Sequence, residues 1–218
     1  MNKPTYSPEK NAQLLVNRVE ELRLRLDSYD PERLAEFTGT EFKFREDGQQ
    51  GEFHTTLWNR RIKLTYPEFH AFEVPSGKEC GPALQALLLY YYLTADGTSP
   101  GGTWISFTEL PDGRFYTQAF QGYTGEELGR EFGDDQTAFE QAAVALAGHK
   151  EDLGDSAFSF PLLPRISLLA VCWVGDEDFP TKYQILFSSN VRHYLPTDAC
   201  AIAGSMLTRR LIAVHSNS

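Results

Sequence analysis

The sequence predicts an α+β fold, a mostly antiparallel sheet with an N-terminal amphipathic helix, a central apolar helix and a C-terminal helix packed on it. Three observations carry that assignment. Short β-rich runs follow one another at turn-length spacing between Glu41 and Val74, which suits an antiparallel meander rather than βαβ units. The run Ala83 to Leu93, ALQALLLYYYL, is too long for a strand and apolar nearly all round, so it predicts a buried helix. Within Phe158 to Pro196, two apolar runs of strand length, Ile166 to Val174 and Tyr183 to Phe187, flank an acidic turn, Gly175 to Asp178. They predict a hairpin whose first strand is buried on both faces.

The remaining elements follow in chain order. Leu15, Val19, Leu22 and Leu26 make a helical stripe between about Ser7 and Ser28, with Arg18, Glu21 and Arg25 between them. Residues 1–29 are thus expected as a helical extension of a single domain, 1–218. Asp30 and Pro31 suit the cap and first turn of a short helix through Phe37, which Gly39 ends. The meander is expected as Glu41 to Arg45, Glu52 to Trp58, Ile62 to Tyr66 and Ala71 to Val74. Asp96 to Gly102 is a polar, Gly-rich loop. Trp104 to Phe107 and Phe115 to Phe120 are expected as a second hairpin across Pro111-Asp112-Gly113, a residue set suited to a tight turn. Helices are expected at Gly125 to Phe132 and Gln136 to Ala147, the latter ended by Gly148, with His149 to Gly154 as a charged linker. Thr197-Asp198 would cap a final helix, Ala199 to Val214.

Composition bounds the function. With 41% hydrophobic and 23% charged residues, the 218-residue chain has the make-up of an ordinary globular protein. A net charge of -10 argues against a general nucleic-acid surface and against docking on anionic lipid. No apolar run reaches the roughly 20 residues needed to span a bilayer. The polar amino terminus lacks an apolar signal core, and Cys80, Cys172 and Cys200 suit reduced thiols, so a cytoplasmic location is expected. The partners expected are proteins or small molecules.

No Walker loop, GxGxxG, HExxH, CxxC or GxSxG is present. The candidate site residues are therefore argued singly. Asp176, Glu177 and Asp178 form the densest set of carboxylates beside the core. They could coordinate a hard cation or act as acid and base, or they could be solvated turn residues. Arg165, just before an apolar strand, could bind an anion through its planar fork or pair with an acid. Trp173 is a candidate for core or ligand contact, and His193 with Tyr194 form a polar pair that could also be strand-end packing. Neither the three cysteines nor the five histidines fall at ligand spacing, so no metal site is assigned and no cofactor is recognisable. Tyr90-Tyr91-Tyr92 point three ways round a helix, and at least one hydroxyl should reach a polar cavity or the surface.

Several segments occur together in order: LLLYYYL at Leu87 to Leu93, Trp104-Ile105-Ser106-Phe107 with Glu109-Leu110-Pro111, Leu163-Pro164-Arg165, Trp173 with Gly175-Asp176 and Phe179-Pro180, Ile185-Leu186-Phe187, and Tyr194-Leu195-Pro196. From about Asp30 to Leu211 they resemble an uncharacterised domain family of mostly anaerobic bacteria and archaea. Some of its members are fused to a small iron–sulfur module like that of corrinoid iron–sulfur proteins. The resemblance implies a soluble binding or accessory role, in anaerobic cofactor or corrinoid metabolism. The family favours an aspartate where this chain has Ser188, and the four-cysteine module does not occur in this sequence. Two other roles stay open: a cation-assisted hydrolase using Asp176, Asp178 and Arg165 or His193, and a binder of a planar cofactor between the Tyr-rich helix and the sheet.

Overall fold

The computed structural model describes residues 8–46 and 48–216. Helix α1 (Pro8–Leu26) and helix α2 (Pro31–Thr38) lead into a sheet of β1 (Glu41–Phe44), β2 (Gly51–Leu57), β3 (Arg60–Tyr66) and β4 (Ala71–Glu73), followed by α3 (Pro82–Thr94). Then come β5 (Trp104–Ser106), helices α4 (Gly113–Gly122), α5 (Gly125–Phe132) and α6 (Gln136–Ala145), and strands β6 (His149–Glu151), β7 (Ser156–Leu163), β8 (Ile166–Trp173) and β9 (Lys182–Ser188). Helix α7 (Thr197–His215) ends the described fold. The first sheet runs in the order β1-β2-β3-β4 and the second β5-β9-β8-β7-β6, every neighbouring pair antiparallel. The α+β expectation holds; the start expected at Ser7 lies outside the described residues.

Each element follows from its residues. The α1 stripe places Val19, Leu22 and Leu26 in the core, and Arg23 reaches across to Gln85 of α3 and to His70, 3.1 Å away. In α2 the Asp30 carboxylate accepts the Arg33 amide at 2.9 Å, Pro31 opens the first turn, and Gly39 ends the helix at φ 65. Arg165 closes the same end, its guanidinium donating to the Glu36 carbonyl at 3.4 Å, where a cation faces the negative end of the helix dipole. Helix α3 is buried on nearly every side, from Gln85 to Tyr92. Strand β8 has both faces buried, as its apolar run predicts.

Four expectations need correcting. The hairpin expected at Trp104 to Phe120 does not form. Trp104–Ser106 pairs with β9, Phe107–Glu109 is a 3-10 turn, and Phe115 to Phe120 lies in α4. Pro-Asp-Gly opens a helix here as readily as a hairpin. The choice is made by Phe120, which stacks on Phe107 with ring centroids 4.1 Å apart and sits over Gly204 of α7, where a Cβ would lie 2.6 Å from its ring. The charged linker expected at His149 to Gly154 begins with β6. Strand β7 went unrecognised because Pro161 interrupts its run, and that proline sits at an irregularity in the β7–β8 register, where a missing amide is tolerated. Thr197 and Asp198 lie inside the first turn of α7 rather than capping it: the cap position is Pro196, and the Thr197 hydroxyl donates to the Pro111 carbonyl at 2.6 Å. After α6 the left-handed residue is Ala147, at φ 58. Gly148 is required for space, since the Phe160 ring would lie 2.7 Å from its Cβ.

Gly39 combines both constraints, a left-handed φ and an added Cβ 2.7 Å from the Arg165 Nε. Gly39→Ala is expected to lower stability by about 1–2 kcal/mol, from the left-handed conformation alone. It should shift the urea midpoint to lower concentration, whereas an unchanged midpoint would mean that Arg165 and the α2 end do not hold this geometry.

Candidate functional site

The sequence-predicted residues fall at two ends of the second sheet. Arg165 precedes β8 and Asp176 follows it. Eight strand residues at about 3.3 Å each keep the two roughly 26 Å apart. Because β9 runs antiparallel to β8, His193 and Tyr194, which follow β9, lie at the Arg165 end. Asn190 confirms the proximity, its side-chain amide donating to the Arg165 carbonyl at 2.9 Å.

At that end the polar groups hold chain together. The Arg165 amide donates to the Tyr91 hydroxyl at 3.1 Å, and its guanidinium is turned to the Glu36 carbonyl, so its partner is a helix end and not a carboxylate. Tyr194 is fully buried, stacks on Tyr91 at 5.3 Å and donates its hydroxyl to the Thr98 carbonyl; burial pushes its phenol up, against the opposing charge of Arg165. His193 meets the Asp96 carboxylate at 2.7 Å. The pair thereby pins the 95–103 loop. Arg165 also borders a hollow of about 580 Å³ with Gly101, Gly102, Trp104 and Ser188.

At the other end, the Asp176 carboxylate accepts the amides of Asp178 and Phe179, each at 2.9 Å, closing the turn on itself. Glu177 and Asp178 are exposed. Trp173 is half-buried, packs beside Leu169, Val171 and Leu186, and borders a hollow of about 530 Å³ with Lys182 and Glu126. Among the described residues no group of three or more His, Cys, Asp or Glu side chains could hold a metal ion, and no helix is long and apolar enough to cross a membrane.

The Tyr-rich helix spends its hydroxyls internally. Tyr91 donates to the Thr38 carbonyl at 2.7 Å, Tyr92 to the Thr40 hydroxyl at 3.2 Å, and Tyr90 to the Asp198 carboxylate at 3.2 Å while accepting from Arg18 at 2.8 Å. The helix also packs by its rings, Tyr91 on Tyr194 with centroids 5.3 Å apart and Tyr92 on Phe53 of β2 at 4.9 Å.

A larger opening lies elsewhere. Between α4, the segment 192–196 and the start of α7 is a mainly apolar cleft of about 710 Å³. Its α4 wall is Tyr116 and Ala119 with Tyr123, the residue just past the helix end, spaced i, i+3 and i+7. Asp198, Ala201 and Ile202, at i, i+3 and i+4, share one face of α7 and also line the cleft, as does Phe107. Burial alone pushes the Tyr123 phenol up, with no hydrogen bond to another described residue contributing. Three charged side chains border the cleft: Asp112, Arg192 and Asp198. Reading Phe115 to Phe120 as a strand hid this wall, because alternation sends Tyr116 and Ala119 to opposite faces. The i, i+3, i+7 spacing was the signal available. His193 and Tyr194 do not line the cleft; their neighbours Arg192, Leu195 and Pro196 do.

A family model described as a domain of unknown function (DUF3786) matches residues 30–210. No curated protein and no solved structure matches the chain.

Asp96 supplies a test of the loop clasp. Hydrogen bonds from Thr98 and from the His193 ring hold its carboxyl down at about 2. A carboxylate with a lowered folded pKa adds stability above its unfolded value and loses it as pH falls through the folded one. Wild type is expected to exceed Asp96→Asn in urea midpoint at about pH 6, the margin shrinking between about pH 4 and pH 2. A margin that does not vary with pH would contradict the clasp.

Proposed function

The chain belongs to the DUF3786 family, a family of unknown function, and we propose that it is a non-catalytic binding or accessory protein that holds a small organic molecule in the cleft between α4 and α7. The observation that carries this reading is the cleft itself. Its volume of about 710 Å³ falls in the range of small-molecule sites, its walls are mainly apolar, and the Tyr116 and Tyr123 phenols and separate charges offer polar contacts. The side chains that line it do not make a nucleophile–base pair. Thr197 has spent its hydroxyl on Pro111, and Asp198 is tied to Tyr90. The hydrolytic alternative needs Asp176 and Asp178 to converge with Arg165 or His193, and β8 holds the two sets apart. Anaerobic cofactor or corrinoid metabolism, implied by the family resemblance, is a proposed source of the ligand.

Ala119 is exposed on the α4 wall, so a large side chain there fills the cleft without entering the core. The uncharged fluorophore N-phenyl-1-naphthylamine is expected to bind wild type at one site, and Ala119→Trp to weaken it at least about tenfold, ~1.4 kcal/mol. Circular dichroism checks that the variant is folded. Equal affinity in the two proteins would rule out this cleft as the site.

A further inference from the structure

We infer that the ligand of this cleft is a zwitterion with an apolar body, the chemistry of a hydrophobic amino acid, its ammonium facing Asp112 and its carboxylate facing Arg192. The inference rests on the cleft reading and concerns which charges in it remain uncommitted. Three charged side chains border the cavity. Asp198 is committed: Oδ1 accepts the Ala199 amide at 3.0 Å and Oδ2 accepts the Tyr90 hydroxyl at 3.2 Å. The same hydroxyl accepts from the Arg18 Nε at 2.8 Å, and the Arg18 guanidinium lies 5.3 Å from the Tyr90 ring centroid. Asp198 therefore has its counter-charge on α1, one hydroxyl away. Its orientation is set by the fold.

Asp112 and Arg192 have no such partners. Both are exposed, and among the described residues neither forms an ion pair or a side-chain hydrogen bond, with the other or with any third group. They are of opposite sign and border the same apolar walls, Phe107 and Tyr116 among them. An apolar ligand seated there removes water from both charges, which costs free energy for each one left unmatched. A purely anionic ligand satisfies Arg192 and strands Asp112; a cationic one does the reverse. A ligand carrying both signs matches both, while its apolar body covers the aromatic wall and the Tyr123 hydroxyl supplies a neutral contact.

Calorimetry with three probes of one ring size tests the inference: L-phenylalanine, 3-phenylpropionate and 2-phenylethylamine. The zwitterion is expected to bind about tenfold more tightly than either singly charged probe. Asp112→Asn should erase its advantage over 3-phenylpropionate and leave that over 2-phenylethylamine; Arg192→Gln should do the opposite. Both side chains are exposed, so neither change threatens the core. Equal affinities, a singly charged probe binding most tightly, or no binding by any of the three while N-phenyl-1-naphthylamine still occupies the cleft would each overturn the zwitterion and leave the cleft standing. Failure of the uncharged fluorophore as well would overturn the cleft and the zwitterion with it.

Discussion

Helix α3 carries three consecutive tyrosines into the core, and the need to satisfy their hydroxyls organises much of the molecule. A helix sends consecutive side chains in different directions. Tyr90, Tyr91 and Tyr92 therefore make their demands on three different neighbours. Tyr91 binds the end of α2 through Thr38 and the start of β8 through Arg165; Tyr92 binds Thr40; Tyr90 sits between Arg18 of α1 and Asp198 of α7. Each hydroxyl left without a partner would cost about 1–3 kcal/mol. Burial pushes all three phenols up, so they remain neutral donors at ordinary pH.

That constraint decides which polar groups are left for a ligand. The Arg165 amide is held by Tyr91 and one guanidinium nitrogen by the α2 end, while its buried Nε has no hydrogen-bond partner among the described residues. Tyr194 and His193 hold the loop that follows α3. Asp198 is fixed by Tyr90. Across the molecule, Gly204 lets Phe120 press α4 onto α7, and the Tyr116–Tyr123 flank of α4 is left bordering open space. Among the described residues, the side chains of Asp112, Arg192, Tyr116 and Tyr123 border that opening without a hydrogen bond or ion pair of their own.

Much of this was legible in the sequence where one period or one cap dominates. The α1 stripe, the Asp30-Pro31 start and Gly39 stop of α2, the meander and the apolar run of α3 each present one unambiguous signal. Legibility fails where a local signal has two meanings. Pro111-Asp112-Gly113 fits both a hairpin turn and a helix entry, and the decision comes from Phe107 and Gly204, distant in sequence from one another. Pro161 hid β7 because a proline inside a run argues against a strand unless a register irregularity accommodates it. The acidic turn drew notice as the densest set of carboxylates, yet Asp176 serves the amides of its own turn. The cleft-lining residues are dispersed from Phe107 to Ile202, and only the packing of α4 on α7 assembles them.

Backbone-amide NMR of the labelled protein during titration with an uncharged aromatic fragment tests the central claim most directly, because it asks where a ligand goes without assuming its charge. Shifts that saturate together at Tyr116, Ala119, Tyr123, Leu195 and Ile202 are the predicted result. Shifts confined to the Trp173–Lys182 hollow or to the surroundings of Arg165 would contradict it and place the site at one of the ends of the second sheet.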